Sequence, residues 1–215
     1  METSPQRIKH IAIAGNIGAG KTTLAEKLSQ YYDWQVLYEA VDNNPYLSDF
    51  YENMHRWSFN LQVYFLNSRI NQLLHIREGE KTIIQDRTIF EDAHIFAPNL
   101  YEMGLMSSRD FENYRNLFKT ITSLIEPPDL LIYLRASIPT LMKQIRRRGR
   151  DYEMNIRQDY LENLNFYYEN WINKYTEGNL LILNVEDINY VDKPDDLVKV
   201  AEKIRTSILE SGLVL

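Results

Sequence analysis

The sequence predicts an α/β fold with a five-stranded parallel sheet flanked by helices. Five short runs rich in Ile, Leu and Val recur along the chain, at residues 8–14, 34–38, 81–86, 129–134 and 180–185. Short apolar runs of this kind are typical of parallel strands that are buried on both faces. Longer stretches with helical periodicity separate the runs, and strands that alternate with helices form a parallel sheet covered on both sides.

The helices are predicted from their periodicity and their end signals. Between residues 55 and about 77, apolar residues such as Phe59, Val63 and Leu66 recur at three- and four-residue steps. A second helix is expected between Ser137, a favoured N-cap residue, and Gly149, a favoured residue at a helix C-terminus. Residues 156–175 have a similar helical pattern.

Composition limits the class of protein. A chain of 215 residues with 44% hydrophobic residues suits one domain, which we place at residues 1–215. The net charge of −6 argues against general nucleic-acid binding. The absence of cysteine excludes disulfides and cysteine-based metal sites. No run reaches transmembrane length and no signal peptide is recognisable, so we expect a cytoplasmic protein without a membrane partner.

A glycine-rich stretch follows the first predicted strand. Gly15, four intervening residues and then Gly20-Lys21-Thr22 have the spacing of a phosphate-binding loop. In such a P-loop the backbone wraps around phosphates at a helix N-terminus, the lysine reaches the β- and γ-phosphates, and the Thr hydroxyl ligates Mg²⁺. The alternative is a glycine turn that serves packing alone. The residues expected to bind ATP here are Gly15, Asn16, Ile17, Gly18, Ala19, Gly20, Lys21, Thr22 and Thr23.

Charged residues follow the second and third predicted strands. Because ligands of open α/β sheets bind outside the carboxyl ends of the strands, Glu39 and the Asp86-Arg87 pair are expected near the transferred phosphate. A carboxylate such as Glu39 can orient an acceptor hydroxyl, Asp86 can hold Mg²⁺, and Arg87 can reach a phosphate. The alternatives are a solvated or capping glutamate and a structural Asp-Arg pair. Asp92, in the following helix, needs a partner if buried, and Arg69 is the candidate.

Arginines cluster at the end of the helix that begins after Ser137. Arg146, Arg147, Arg148 and Arg150 surround Gly149. They suit a lid, at about residues 144–156, that closes over a triphosphate and stabilises charge in the transition state. The alternative is a solvated basic face or a weak nucleic-acid patch. In an acidic chain with a phosphate-binding loop we favour the lid.

Taken together, these stretches resemble the deoxynucleoside kinase family, which includes deoxycytidine, deoxyguanosine and deoxyadenosine kinases, and most of all its bacterial deoxyadenosine/deoxyguanosine branch. The matching stretches occur in the family's order over nearly the whole chain. They are GNIGAGKTT, YEAVDNNPYL, RWSFNLQVYFLNSR, DRTIFEDAHIFA and RRGRDYE with YLENL. The resemblance implies a fold of the P-loop NTPase type with an arginine-rich lid.

The resemblance also implies roles for individual residues. Glu39 would be the catalytic base on the 5′-hydroxyl, and Arg87 would contact that hydroxyl and the phosphate, with Lys21 as the third catalytic residue. The remaining substrate-binding residues would be Tyr51 and Glu153 at the sugar 3′-hydroxyl, Gln62, Asp92 and Arg69 at the base, and Val41, Phe65 and Phe96 as pocket walls. Gln62 and Arg69 lie seven residues apart and so share one helix face. For the two phenylalanines, an ordinary core position is an equally good interpretation.

The lid departs from the family pattern at one position. Gln144 stands where the animal enzymes place the first lid arginine, and Arg146 or Arg147 is a candidate replacement. We therefore take Arg146, Arg148 and Arg150 as ATP-binding, and Thr22 and Asp86 as the metal-binding residues.

The expected function is ATP- and Mg²⁺-dependent phosphorylation of a deoxynucleoside 5′-hydroxyl in nucleotide salvage. A purine is favoured, with deoxyadenosine first, and the family is usually homodimeric. Two alternatives stay open: a nucleoside monophosphate kinase of the thymidylate type, and a nucleotide-binding regulatory subunit without catalysis. Glu39 argues against the first, because it would repel an acceptor phosphate. The presence of Lys21, Glu39 and Arg87 argues against the second.

Overall fold

The computed structural model describes residues 6–41, 43–153, 156–186 and 188–215. Five parallel strands form one sheet in the order β2-β3-β1-β4-β5. The strands are β1 His10–Gly15, β2 Gln35–Leu37, β3 Ile83–Asp86, β4 Leu130–Arg135 and β5 Asn179–Asn184. All five predicted strands and the α/β class are confirmed.

The prediction that every strand is buried on both faces holds for the centre of the sheet. All of β1 and β3 and nearly all of β4 are buried, whereas β2 and β5 are largely half-buried or exposed. The reason is topological, because β2 and β5 are edge strands with one neighbour each.

Nine α-helices connect and flank the strands in the described part of the chain. They are α1 Lys21–Tyr32, α2 Leu47–Glu52, α3 Met54–Glu78, α4 Ile89–Glu91, α5 Ala97–Glu102, α6 Ser108–Thr122, α7 Ile138–Arg148, α8 Gln158–Ile172 and α9 Pro194–Glu210. A π-helical segment, Asp92–Phe96, joins α4 to α5, and a 3-10 turn, Asp151–Glu153, follows α7.

The helix predicted to form the base of the lid has the expected ends. In α7 the Ser137 side chain accepts a hydrogen bond from the Thr140 N–H, and Gly149 ends the helix with a left-handed φ of 67°. Glycine adopts that conformation without the steric cost of a side chain. The predicted lid, residues 144–156, includes residues 154 and 155, which lie outside the described residues.

The sheet separates two hydrophobic clusters. Along β1, Ala12 and Ala14 point to one cluster, and Ile11 and Ile13 point to the other. The first cluster is built largely by α3, α5 and α8, and the second by α1 and α9. Each face of the sheet is therefore covered by helices, which leaves the carboxyl ends of the strands as the open edge. Among the described residues, no helix has both the length and the apolar character needed to cross a membrane.

Candidate functional site

The glycine-rich stretch forms a loop between β1 and α1. Gly18 and Gly20 have left-handed φ values of 85° and 93°, which a residue with a side chain rarely adopts. The Lys21 Nζ curls back over the loop and donates to the carbonyl oxygens of Gly15, at 2.9 Å, and Asn16, at 3.2 Å. Burial lowers the pKa of Lys21 to about 8. A helix N-terminus and a buried lysine with carbonyl partners make a site that suits an anion.

A polar pair beside the loop fits a hard cation. The Thr22 hydroxyl donates to Asp86 Oδ2 at 2.5 Å, and Asp86 Oδ1 is buried without a hydrogen-bond partner. Mg²⁺ is commonly held by one or two protein oxygens together with substrate phosphates, and the described residues contain no cluster of three or more metal-binding side chains. The donor set therefore fits a Mg²⁺ ion that arrives with a nucleotide.

Glu39 and Arg87 meet beyond the carboxyl ends of β2 and β3. Arg87 Nε lies 2.7 Å from Glu39 Oε1, and Arg69 Nη2 donates to the same oxygen at 3.1 Å. Burial alone would raise the pKa of Glu39, but the charges of Arg87, Arg69 and Lys21 outweigh it and lower that pKa to about 2. Glu39 is therefore a carboxylate that accepts hydrogen bonds at any physiological pH.

A pocket opens in front of this carboxylate. Nine of the ten residues expected to bind the acceptor line it: Glu39, Val41, Tyr51, Gln62, Phe65, Arg87, Asp92, Phe96 and Glu153. Arg69 is fully buried behind the pocket, where it contacts Glu39 and Asp92. Apolar walls that sequence reasoning missed are supplied by Leu47, Phe50, Leu61 and Tyr160. These four looked like ordinary core residues, because their spacing carries no sign of a ligand.

Among the described residues that line the pocket, two buried acceptor atoms have no hydrogen-bond partner, namely Gln62 Oε1 and Asp92 Oδ2. Asp92 Oδ2 lies 3.5 Å from Arg69 Nε, and burial raises the pKa of Asp92 to about 7 against the opposing charges of Arg69 and Arg87. Buried polar groups are normally satisfied. The two free acceptor atoms therefore suit a ligand that donates hydrogen bonds.

The π-helical segment places both of its ends on the pocket. Asp92 begins the segment and Phe96 ends it, and both line the cavity. The Arg87 guanidinium lies 4.6 Å above the Phe96 ring, close enough for a cation–π contact. Segments of this kind are rare and occur frequently at functional sites. Periodicity in the sequence gave no indication of it.

A second groove runs along the outer side of the loop and α7. Of the residues expected to bind ATP, it is lined by Gly18, Gly20, Lys21, Thr22, Thr23, Arg148 and Arg150. Gly15, Asn16 and Ala19 do not line the groove, and Ile17 lines the first pocket. Asn16 is buried, and its side-chain amide donates to the Leu161 carbonyl and to Asn165 on α8. That side chain fixes the loop in place.

Arg146 and Arg147 lie on different sides of α7. Arg147 lines the groove together with Gln144, whereas Arg146 lines a separate depression with Met142 and Gln158. Of the two candidate replacements for the missing lid arginine, the structure brings Arg147 to the phosphate-binding loop. Tyr190 and Asn189 also line the groove.

The two cavities share four residues at their junction: Gly18, Lys21, Arg148 and Arg150. Arg148 pairs with Glu153 on the side of the first pocket, and Arg150 Nη1 lies 3.6 Å from Glu153 Oε1. Three of the four shared residues are cations, which suits a group that carries negative charge from one cavity to the other. The arrangement can therefore hold a phosphate donor on one side and an acceptor on the other.

Comparison with known proteins agrees with this geometry. The sequence profile of the deoxynucleoside kinase family matches residues 11–210. The chain is 36% identical over 200 residues to a deoxyadenosine/deoxycytidine kinase of Bacillus subtilis (strain 168), with 92% of each chain covered. It is 34% identical to a deoxyguanosine kinase of the same organism, with 97% of this chain and 100% of the relative covered.

A solved structure with the same architecture is that of deoxyadenosine kinase from M. mycoides, with the products dCMP and a flexible dCDP bound. The TM-score is 0.81 at 30% identity, and the superposition covers 91% of this chain and 98% of that one. The match of the family profile along almost the entire chain, together with relatives that are similarly covered, leads to one conclusion: the chain belongs to the deoxynucleoside kinase family.

Proposed function

We propose that the protein transfers the γ-phosphate of ATP to the 5′-hydroxyl of a deoxynucleoside, a step of nucleotide salvage. The observation that carries the proposal is the junction of the two cavities. A triphosphate held by the loop would end at Lys21, Arg148 and Arg150, and these same cations line the pocket that contains Glu39. Donor and acceptor would thus be held next to each other at the junction, and such positioning supplies much of the rate in phosphoryl transfer.

In this proposal Glu39 receives the hydrogen bond of the 5′-hydroxyl. The carboxylate is fixed by Arg87 at 2.7 Å and by Arg69 at 3.1 Å, so its direction is set before the substrate enters. Arg87 lines the same pocket and would stabilise the charge that develops on the transferred group. Thr22 and Asp86 would hold Mg²⁺, which when bound neutralises charge on the phosphate oxygens.

For the base we propose a purine, with deoxyadenosine favoured. The free acceptor atoms of Gln62 and Asp92 suit a base that carries an exocyclic amine. Phe65 and Phe96 supply flat apolar walls. The relatives described above are named for deoxyadenosine, deoxycytidine and deoxyguanosine. Their names agree with an amine-bearing base, and thymine lacks such a group.

Two further expectations stay predictions from the sequence. The first is a homodimer. It is supported by two exposed leucines, Leu74 on α3 and Leu117 on α6, because α3 and α6 pack together. The second is a cytoplasmic location.

A panel of acceptors tests the proposed function. Initial rates with ATP and Mg²⁺ are compared for deoxyadenosine, deoxyguanosine, deoxycytidine and thymidine, with thymidine monophosphate as the control for the rival kinase class. We expect the highest kcat/KM with deoxyadenosine and no turnover of the monophosphate, because Glu39 repels an acceptor phosphate.

Two results would contradict the proposal. Turnover of thymidine monophosphate alone would move the protein to the monophosphate kinases. Tight ATP binding without transfer to any of the acceptors would indicate a regulatory nucleotide-binding protein. A preference for deoxyguanosine or deoxycytidine would leave the kinase standing and overturn only the choice of base.

A further inference from the structure

Glu91 is a buried carboxylate that lines neither cavity. Its side chain is fully buried at the end of α4. One of its oxygens, Oε2, accepts the Thr88 N–H at 2.7 Å, while the Thr88 hydroxyl accepts the Glu91 N–H at 3.3 Å. This reciprocal pair is a capping box, the usual reason for a glutamate at this position of a helix. Capping therefore accounts for one oxygen of Glu91.

The other oxygen contacts three groups from outside α4 and its cap. Glu91 Oε1 accepts the Gly15 N–H at 3.2 Å, the Tyr168 hydroxyl at 2.7 Å and Arg87 Nη1 at 3.3 Å. These donors come from the end of β1, from α8 and from the turn after β3. A helix cap needs none of them. The carboxylate thus connects the start of the phosphate-binding loop to the arginine of the acceptor pocket.

Tyr168 completes the connection. Its hydroxyl is buried and accepts a hydrogen bond from Arg87 Nη1 at 2.8 Å. It lies 2.7 Å from Glu91 Oε1 and 2.9 Å from the Gly15 carbonyl oxygen, and its single proton favours the charged partner. The Gly15 carbonyl also accepts from Lys21 Nζ. The Glu91 carboxylate therefore joins Gly15 to Arg87, with the Tyr168 hydroxyl bonded to both Glu91 and Arg87, and Lys21 is joined to Gly15 through the carbonyl of that residue.

The guanidinium of Arg87 is held from two sides. Its Nε faces Glu39 at 2.7 Å, and its Nη1 faces Glu91 and Tyr168. Among the described residues, Nη2 forms no hydrogen bond that would compete with a ligand in the pocket that Arg87 lines. Arg87 also has a left-handed φ of 71°, so its backbone needs support from its surroundings. Without Glu91, neither the side chain nor the loop would have the same anchor.

We propose that Glu91, together with Tyr168, is a positioning residue for the transfer reaction: it fixes Arg87 relative to Gly15 and so sets the distance between the donor and acceptor cavities. Glu91 touches no ligand in this account and acts through Arg87. The inference rests on the proposed function. The inference extends that function, because it assigns a role to two residues that line neither cavity.

The variants Glu91→Gln and Tyr168→Phe test the role. Both keep the shape of the side chain and remove a charge or a hydroxyl. We expect kcat for the best deoxynucleoside to fall about tenfold or more, because small displacements of positioning groups are costly, while the KM values for ATP and nucleoside stay within about threefold. Tyr133→Phe is the matched control, because Tyr133 is equally buried, stacks on Tyr168 and donates its hydroxyl to Glu169 instead.

A second background separates positioning from general structural support. In the Arg87→Lys background the cation remains but the guanidinium is lost. Adding Glu91→Gln to that background should change kcat by less than about threefold, because the effects of two residues that act through one another do not add as independent free energies. If the double variant loses kcat by the product of the two single losses, the proposal is overturned. So would kcat values within about threefold of the parent for both single variants, whatever their Tm. If Glu91→Gln does not fold, Tyr168→Phe decides alone.

The parent enzyme separates this inference from the proposed function. A parent that phosphorylates no deoxynucleoside overturns the function, and with it the role of Glu91. A parent that is active, with variants that are equally active, overturns the role of Glu91 alone.

Discussion

Glu39 is held in its charged form more strongly than a free carboxylate. Arg87 and Arg69 both contact its Oε1, and these charges bring its pKa to about 2 against the effect of burial. Such a carboxylate is a weak base. In a loose phosphoryl-transfer transition state the attacking hydroxyl needs orientation more than early deprotonation. In the proposed reaction, Glu39 would therefore aim the hydroxyl and receive its proton late.

A second buried residue predicts how stability depends on pH. His10 on β1 is buried and donates from Nε2 to Gln85 Oε1 of β3 at 3.0 Å, and burial lowers its pKa to about 4. Because the unfolded chain binds the proton at about pH 6.5, acid favours the unfolded state between pH 6.5 and 4. The contribution of His10 to stability is thus present above pH 6.5 and is lost as the pH falls, by up to about 3 kcal/mol.

Urea unfolding at pH 7.5 and pH 4.5 measures this contribution. Between pH 7.5 and pH 4.5 the unfolding free energy of the parent should fall by more than that of His10→Gln. Asp92 contributes with the opposite sign, since burial raises its pKa to about 7, but it is present in both proteins and cancels. His55→Gln, at an exposed position near the start of α3, is the control for the loss of a surface imidazole. A pH-independent difference for His10→Gln would contradict the account.

At the scale of elements, the glycine-rich loop and α7 are in direct contact. A Cβ atom on Gly18 would lie 2.8 Å from Ile145 Cγ1 and 2.9 Å from the Leu141 carbonyl oxygen, both on α7. The absence of a side chain at Gly18 is therefore what allows α7 to approach the loop. Because Arg147 and Arg148 are carried by α7, the loop and the arginines are positioned together.

Gly18→Ala should separate these two elements. We expect the KM for ATP to rise about tenfold or more, because the loop must move away from α7 to relieve the contact. The matched control is Gly104→Ala. Gly104 has a similar left-handed φ of 70°, but a Cβ there would meet nothing within 4 Å. Both variants should lose about 1 kcal/mol of stability from backbone strain, and only the first should change ATP binding. An unchanged KM in Gly18→Ala would show that the contact does not set the loop position.

At the scale of the whole molecule, the sheet and the two cavities follow from patterns that a single sequence contains. The apolar runs predicted all five strands, because strands at the centre of a parallel sheet have no solvated face to interrupt them. The position of Glu39 and Arg87 followed from the rule that ligands lie at the carboxyl edge of the sheet. The resemblance to the family, rather than spacing, supplied six further residues of the acceptor pocket: Val41, Tyr51, Gln62, Phe65, Phe96 and Glu153.

Other features depend on helical phase and on long-range contacts. The groove is lined by one stripe of α7, at residues 140, 143, 144, 147 and 148, which places Arg147 and Gln144 on the same face and leaves Arg146 on another. This phase could have been read from the sequence. The contact between Glu91 and Tyr168 could not be read from the sequence, because 77 residues separate the two and only the folded structure brings them together. The capping box formed with Thr88 was the one local signal that Glu91 offered.

The central claim is that Glu39 orients the acceptor hydroxyl at the junction of the two cavities. The most direct test is single-turnover transfer from ATP to the preferred deoxynucleoside in the parent and in Glu39→Gln, with nucleoside affinity measured separately. The account predicts a fall of about 10² to 10⁴ in the transfer rate, while the nucleoside Kd changes little, because the amide keeps the shape but not the charge. A transfer rate within about threefold of the parent, at saturating nucleoside, would contradict the claim.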